Sequence, residues 1–251
     1  MQNIAIVAVN NPANARGELT HITGISSMAT RQVLAELTGA FAALTGHTVL
    51  IESVGGVDAA KRVQAGEAFD VVILASDAID RLIAGGVIEP GSRVDLVRSG
   101  VAVAVRAGEE LPDIASEEAV KRAVLAAKSI GYSTGPSGLA LTELFERWGI
   151  ADEIKGRTVQ APPGVPVGAL VASGEVALGF QQLSELLHVD GITVVGPLPA
   201  HIQITTIFSA GLPVRRPADS ARSAAVKALL DYMASPKASA VKMRQGMEAC
   251  L

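Results

Sequence analysis

Apolar and polar positions are arranged in two different ways along the chain, and each arrangement predicts a type of element. Short apolar runs of strand length lie at residues 19–24, 48–52, 71–74, 101–106, 129–132, 177–180, 192–195 and 204–210. Helical stretches lie at residues 29–44, 59–65, 79–84, 117–127, 139–148, 165–173, 182–187, 218–234 and 236–245. Strands that alternate with helices in this way are typical of α/β proteins.

The local pattern also indicates how these elements end and combine. The run at 71–74 is apolar at every position, which favours a strand that is buried on both faces. Gly46 follows the first predicted helix and is well placed to end it. No internal repeat, low-complexity tract or charged linker divides the chain. We therefore expect two α/β lobes that share strands, rather than two tandem domains.

Composition limits the core and the partners. Hydrophobic residues make up 49% of the 251 residues but aromatic residues only 3%, so Ala, Val, Leu and Ile must fill the core. The formal net charge is -4 and no Lys/Arg cluster stands out, which argues against nucleic-acid binding. No apolar run approaches the roughly 18 residues that span a bilayer, so we expect no membrane insertion. We also expect a monomer and no cofactor. Metal ligation by the single Cys250 is not expected, because it has no nearby His or second Cys.

Residues 1–16, MQNIAIVAVNNPANAR, allow two interpretations. Taken as it stands, the segment is an N-terminal extension of a cytoplasmic protein, because its apolar run is short and no basic residue precedes it. Alternatively, the start codon is assigned too late and the segment is the remnant of an export signal. Ala13 and Ala15 flank Asn14 in the small-x-small form of a cleavage site, which would make the protein periplasmic.

Three loops share one design, in which a predicted strand leads through small polar residues into a predicted helix. They lie at residues 24–28, 53–57 and 133–138. Such loops meet at the carboxyl ends of parallel strands, where ligands bind in α/β proteins. Helix N-termini offer free N–H groups and a partial positive charge, so the loops predict an anion site. The alternative for each Ser is an ordinary helix cap.

Catalytic and nucleotide-binding motifs are scarce. The chain contains no GxxxxGK[ST] or GxGxxG motif, so nucleotide binding is disfavoured. The four histidines show no metal-ligating spacing, and Ser, His and Asp do not occur in an order that indicates a hydrolase catalytic triad. His201, in GPLPAHIQ, is the histidine with the best claim to a functional role, with a structural role as its alternative.

Several segments resemble the molybdate-type substrate-binding proteins, and the likeness covers roughly residues 19–248. They read LTHITGISSMATRQVLAELTGAFAALTGHTV at 19–49, RVQAGEAFDVVILAS at 62–76, SGVAVAVRAGEELPDIAS at 99–116, GFQQLSELL at 179–187 and GPLPAHIQ at 196–203. The last three resemble a branch of that superfamily that includes aconitate isomerase. The resemblance implies a type-2 periplasmic-binding-protein fold with a ligand cleft between two lobes. One lobe would comprise residues 17–99 plus 204–251, and the other residues 100–203.

The resemblance also implies ligand-binding positions. The first loop of the family carries a Ser, matched here by Ser26 or Ser27. The second loop has no matching Ser and offers Gly55 and Gly56 instead. The remaining ligand-binding positions would be Ser133 and Ser137 in the third loop, Val167 at a later helix start, and Gln182 where molybdate-binding proteins place a Tyr. Because two loops lose a hydroxyl, the site suits an organic carboxylate better than a compact metal oxyanion.

Two functions from different classes follow from this resemblance. The first is a cofactor-independent isomerase of the aconitate isomerase type, which moves a proton along an allylic polycarboxylate. Its catalytic candidates are His201 and Glu185, the titratable residues nearest the matched motifs. The second is the substrate-binding component of an ABC transporter for molybdate, tungstate or another small anion, with an ABC permease as partner. A cytoplasmic ligand sensor is a third possibility.

Overall fold

The computed structural model describes residues 19–215 and 219–250, so the predicted N-terminal extension 1–16 lies outside the described residues. Ten strands are formed there: β1 His21–Ser27, β2 Thr48–Val54, β3 Val71–Ala75, β4 Val94–Arg106, β5 Ile130–Tyr132, β6 Thr158–Gln160, β7 Leu178–Gln182, β8 Ile192–Pro197, β9 Thr205–Gly211 and β10 Glu248–Ala249. The α-helices of the same residues are α1 Arg31–Thr45, α2 Gly56–Gln64, α3 Ser76–Ala84, α4 Glu117–Ala126, α5 Pro136–Arg147, α6 Ala151–Ile154, α7 Val167–Ser173, α8 Leu183–Leu186, α9 Ser220–Ala234 and α10 Ser239–Arg244. None of these helices is long and apolar enough to cross a membrane.

The strands form two lobes that share β4, which confirms the predicted fold class. The strand order is β2-β1-β3-β9-β4-β7-β5-β6, and β10 and β8 each pair with β4 in addition. Residues Val94–Gly100 of β4 pair with β9, whereas Val101–Ala104 pair with β7. We call the part built on β1, β2, β3 and β9 the first lobe, and the part built on β5 to β8 the second lobe. The lobe boundaries in sequence stay a prediction.

Both faces of the first sheet are covered, as the all-apolar run at 71–74 predicted. All five residues of β3 are buried. Val71 and Ile73 belong to the core that also holds helices α1 and α9, whereas Val72 and Leu74 belong to the core under α2 and α3. Since side chains alternate along a strand, β3 contributes to both layers at once.

Gly46 ends α1 as predicted. Its φ is 80°, a left-handed conformation that glycine adopts without a Cβ penalty, and its N–H bonds to the carbonyl of Ala42. The first helix therefore stops within one residue of its predicted end, and β2 starts at Thr48 as expected.

Three helices begin earlier than the sequence indicated. The stretch 53–57 was predicted as a loop, but β2 runs to Val54 and α2 starts at Gly56. Similarly, α3 starts at Ser76 and α5 at Pro136, three residues before each predicted start. Gly, Ser and Pro are weak helix formers in a helix interior, but they are compatible with a first turn, whose N–H groups have no intrahelical partner.

The start of α5 depends on the glycine at position 138. A Cβ placed there would lie 1.8 Å from the carbonyl oxygen of Ser133, a separation that no side chain tolerates. The Gly138 N–H bonds to the carbonyl of Gly135, which closes the first turn. The turn predicted at 133–138 is shorter than expected, because α5 already begins at Pro136.

Candidate functional site

A cavity of about 400 Å³ lies where the loops of the two lobes face each other. Its lining includes residues from all three predicted loops, from the segment Pro162–Pro166, and from the ends of β7 and β9. Of the ligand-binding and catalytic candidates named from the sequence, those that line the cavity are Ser27, Gly55, Gly56, Ser133, Ser137, Gln182 and Glu185. Ser26, Val167 and His201 are not among the lining residues.

The two serines at the end of β1 are separated by the alternation of the strand. Ser26 is fully buried, and its hydroxyl lies 2.7 Å from that of Ser53 on the paired strand β2. Ser27 points to the other face and lines the cavity. Its Oγ is buried and has no hydrogen-bond partner within the described ranges. A buried hydroxyl without a partner carries a desolvation cost that a ligand atom can remove.

Several helices start at the cavity wall without a side-chain cap, among them α2, α3 and α5. The N-cap residues of α2, α3 and α5 are Gly55, Ala75 and Gly135, and none supplies a capping hydrogen bond. All three line the cavity. The first N–H groups of these helices are therefore left for water or a ligand, and the helix dipoles favour an anion.

Two helices that begin away from the cavity, α4 and α9, do have a side-chain cap. Ser116 accepts a hydrogen bond from Ala119 at the start of α4, and Asp219 accepts one from Ala221 at the start of α9. Neither cap residue lines the cavity. Neither Ser133 nor Ser137 caps α5, because its N-cap residue is Gly135 and Ser137 already lies inside the helix. The hydroxyls of the two serines lie 3.3 Å apart.

Gln182 ends β7 at the floor of the cavity and connects the two lobes. Its Nε2 donates to Thr206 Oγ1 on β9 at 2.8 Å. Its Oε1 is buried and unpaired among the described residues. If the side-chain amide flips, the Thr206 hydroxyl donates to Oε1 and Nε2 faces the cavity instead. The site therefore offers either an acceptor or a donor to a bound ligand at this position.

Glu185 lies in α8 with its partly buried side chain lining the same cavity. Burial raises the pKa of Glu185 to about 7, and a side-chain hydrogen bond with Gln181 acts in the opposite direction. Gln181 Oε1 in turn accepts from the Gly168 N–H at 3.2 Å. A carboxyl that titrates near neutral pH can take up and return a proton at low cost.

His201 lies on the outer surface of the second lobe. Its side chain is 59% exposed and its Nε2 lies 3.3 Å from Glu117 Oε2. Val167, at the start of α7, is fully buried, and it is Pro166 before it that lines the cavity. The structure therefore brings one of the two catalytic candidates, Glu185, to the cavity and leaves the other outside it.

Polar cavity residues that the sequence analysis did not name include Lys61, Arg81 and Thr206. Lys61 on α2 makes no ion pair in the part of the chain that the structure describes, whereas Arg81 on α3 pairs with Asp77 at 2.8 Å. Lys61 was assigned to a helix predicted to start at Ala59, and the earlier start at Gly56 brings the helix start to the cavity. Thr206 carries no sequence signal, because its position depends on how β9 pairs with β4.

The charged groups of the site are few. Asp58 also lines the cavity, one turn before Lys61 on the same helix. Across residues 19–215 and 219–250, no cluster of three or more His, Cys, Asp or Glu side chains could hold a metal ion. The cavity therefore presents helix starts, hydroxyls and amides, one cation without an ion pair among the described residues, and one carboxyl of raised pKa.

Similar structures share the two-lobed fold. The periplasmic molybdate-binding protein of Azotobacter vinelandii superposes with a TM-score of 0.74 at 23% identity, covering 92% of this chain and all of that one. The tungstate ABC transporter structure from Geobacter sulfurreducens gives a TM-score of 0.68 at 15% identity, covering 88% of this chain and 97% of that chain. At these identities the likeness concerns the fold.

One relative has a higher sequence identity than these solved structures. Aconitate isomerase from Pseudomonas sp is 36% identical over 241 residues, which covers 94% of this chain and 90% of that protein. The family model described as "Bacterial extracellular solute-binding protein" matches residues 22–248. The chain belongs to this family of bacterial extracellular solute-binding proteins.

Proposed function

We propose that the protein binds a small organic polycarboxylate between its lobes and isomerises it by an allylic proton shift, as an enzyme of the aconitate isomerase type. The observation that carries the proposal is the position of Glu185. This carboxyl, with its pKa raised to about 7, lines the same cavity as Ser27 Oγ and Gln182 Oε1, two buried polar atoms that have no partner among the described residues. The 36% identity to aconitate isomerase over most of both chains supports the choice of substrate class.

The cavity offers several partners for carboxylate groups. The open starts of α2 and α5 face it from opposite lobes, so two carboxylates of one ligand can each meet a helix N-terminus. The Ser27 hydroxyl and the Gln182 amide supply hydrogen bonds beside these two positions. Lys61 provides a compensating charge.

Glu185 would act as the base. Its ionised carboxylate takes a proton from the methylene carbon next to the double bond. The C–H electron pair becomes the new double bond, the old double-bond pair moves to the far carbon, and that carbon takes up a proton. One proton is lost and one gained, so no cofactor or second reactant enters the balance. Closure of the lobes would keep water away from the carbanionic intermediate.

A transport function is the second candidate, and a specific observation favours it. The family is described as extracellular solute-binding proteins, and solved structures of similar fold include molybdate- and tungstate-related proteins. In this role the cavity would hold a small anion without converting it, an ABC permease would be the partner, and the protein would act outside the cytoplasm. The family description supports this export alternative over the predicted cytoplasmic location, and the predicted monomer is compatible with both functions.

The test is direct. Purified protein is mixed with cis- or trans-aconitate, and the ultraviolet absorbance and the products separated by chromatography are followed over time. We expect interconversion that is abolished in Glu185→Gln. Calorimetry with molybdate and tungstate is run in parallel. Tight oxyanion binding without any interconversion would replace the isomerase proposal with the transport function.

A further inference from the structure

Helix α8 belongs to the second lobe in the chain, but it also contacts the first lobe. It follows β7, and its Leu186 shares a buried apolar cluster with Ala102 and Ala104 of β4. On another side, α8 packs against the turn Met28–Thr30 of the first lobe. A change in the angle between the lobes must therefore alter the contacts of α8 with one lobe or the other.

The two ends of α8 fit against a glycine of the first lobe. Gly246 follows α10, and its φ of 68° is a left-handed conformation that favours glycine. A Cβ placed on Gly246 would lie 2.7 Å from Leu187 Cδ1 and 2.9 Å from Leu183 Cγ, which is closer than van der Waals contact. The backbone of the first lobe therefore lies directly against α8.

A chain of hydrogen bonds joins the two lobes beside this contact. His188, in the second lobe, bonds through Nε2 to Gln245 Oε1 of the first lobe at 2.5 Å. Gln245 Nε2 donates to Glu36 Oε1 on α1, and Arg244 donates to the other oxygen of that carboxylate at 2.8 Å. The hydrogen bonds from Arg244 and Gln245 lower the pKa of Glu36, so this group is ionised near neutral pH. A carboxylate only accepts, so the oxygen of Gln245 faces His188, whose Nε2 donates.

The lobes also approach each other at the wall of the cavity. A Cβ placed on Gly55, at the start of α2, would lie 3.9 Å from the backbone nitrogen of Gly164 in the second lobe. We call this arrangement of the lobes closed. A ligand enters the space between two lobes when they turn apart about the strands they share, here β4 and β9. A contact between the lobes that forms at the closed angle opposes this motion.

We propose that His188 and Gln245 form a brace between the lobes, outside the cavity, that favours the closed arrangement. Neither residue lines the cavity, and neither does Glu36. Gln245 is only 8% exposed and its amide is held by Glu36, so the acceptor for His188 is fixed in place. A contact made in one of two arrangements shifts the population toward that arrangement. The inference goes beyond the proposed function, because it concerns the opening of the lobes and not the conversion of a ligand.

The experiment measures the distance between the lobes in the full chain without ligand, by pulsed electron paramagnetic resonance. Spin labels are attached in Leu50→Cys and Leu139→Cys, at two exposed positions on different lobes, with Cys250→Ser to remove the native thiol. In His188→Ala we expect the ratio of chains at other distances to chains at the closed distance to rise about 2- to 10-fold, as for loss of one hydrogen bond. A distance distribution equal to that of the wild-type chain would overturn the proposal.

Three further variants separate the brace from a general loosening of the fold. Arg244→Met removes a donor to Glu36 within the first lobe but keeps the bond between the lobes, so its distances should match those of the wild-type chain. His188→Gln can still donate to Gln245 and should retain the closed distance. His188→Glu presents an acceptor to the Gln245 oxygen, so it is a second breaking variant if His188→Ala does not fold. An equal shift in Arg244→Met, or no retention by His188→Gln, would contradict the brace.

Failure of the proposed function gives a different pattern. A wild-type chain that does not convert aconitate removes the isomerase proposal, but the distance measurement uses no ligand and still tests the brace. If the wild-type chain converts aconitate and the distances do not shift in His188→Ala, the inference about the brace fails alone.

Discussion

The two walls of the cavity differ in the charges they carry. The first-lobe wall presents the open start of α2 with Lys61, a cation without an ion pair in the described ranges. The second-lobe wall presents the open start of α5 and a carboxyl, Glu185, whose pKa burial raises to about 7. Both walls can bind an anion, but the second one also holds a group that exchanges protons near neutral pH. Under the proposed function, the first lobe would mainly bind the ligand and the second lobe would also supply the base.

The largest expected effect comes from removing the carboxyl of the second wall. Glu185→Gln keeps the size and polarity of the side chain but cannot accept a proton. We expect kcat for aconitate interconversion to fall roughly 10²–10⁴-fold, the usual contribution of a general base. Ligand binding measured by calorimetry should change little, because the first wall is intact. A variant that retains full turnover would exclude Glu185 as the base.

The same substitution should stabilise the fold at high pH. The pKa of Glu185 rises from the ordinary 4.5 to about 7, so ionisation costs the folded protein more than the unfolded chain. This cost is absent below about pH 4.5, grows between the two values and is complete above pH 7. Glu185→Gln should therefore raise the free energy of unfolding at pH 8 by up to about 3 kcal/mol relative to wild type. Urea titrations at pH 4 and pH 8 measure this, and an equal difference at both pH values would contradict it.

Much of the fold could be predicted from the sequence, because the sequence signals for its helices and strands are local. The all-apolar run at 71–74 and the glycine at position 46 each specify their own element, and the structure confirms both. The starts of α2, α3 and α5 were misplaced for a physical reason. The N-cap residues of these helices are Gly55, Ala75 and Gly135 instead of the Ser and Asp that cap α4 and α9, so the usual start signal is missing.

The candidate site could be predicted only in part from the sequence. Glu185 was named because it lies near a matched motif, and Ser27 could be separated from Ser26 only once strand alternation was fixed by the structure. His201 lies within another matched motif, but the short helical turn that carries it leaves its side chain exposed. Thr206 reaches Gln182 through the pairing of β9 with β4, and such a long-range contact leaves no local pattern.

The amide that connects the walls gives the next largest effect. Gln182→Ala removes the partner of Thr206 and an amide oxygen that has no partner in the described part of the chain. We expect the dissociation constant for aconitate to rise about 10- to 100-fold, as for loss of a buried hydrogen bond of 1–3 kcal/mol. The melting temperature should change little. Calorimetry gives the affinity and circular dichroism the fold, and an unchanged affinity would remove Gln182 from the site.

The smallest expected effect tests the first wall. Lys61→Met keeps the length of the side chain but removes its charge, and we expect ligand affinity to fall several-fold at low salt. Because Lys61 is exposed, this loss should shrink as ionic strength rises. Arg81→Met is the matched control: Arg81 also lines the cavity, but its charge is already paired with Asp77. Its removal should weaken binding less than the loss of Lys61. If both variants lose the same affinity, or if Lys61→Met lowers kcat rather than affinity, the assignment of binding to the first wall is wrong.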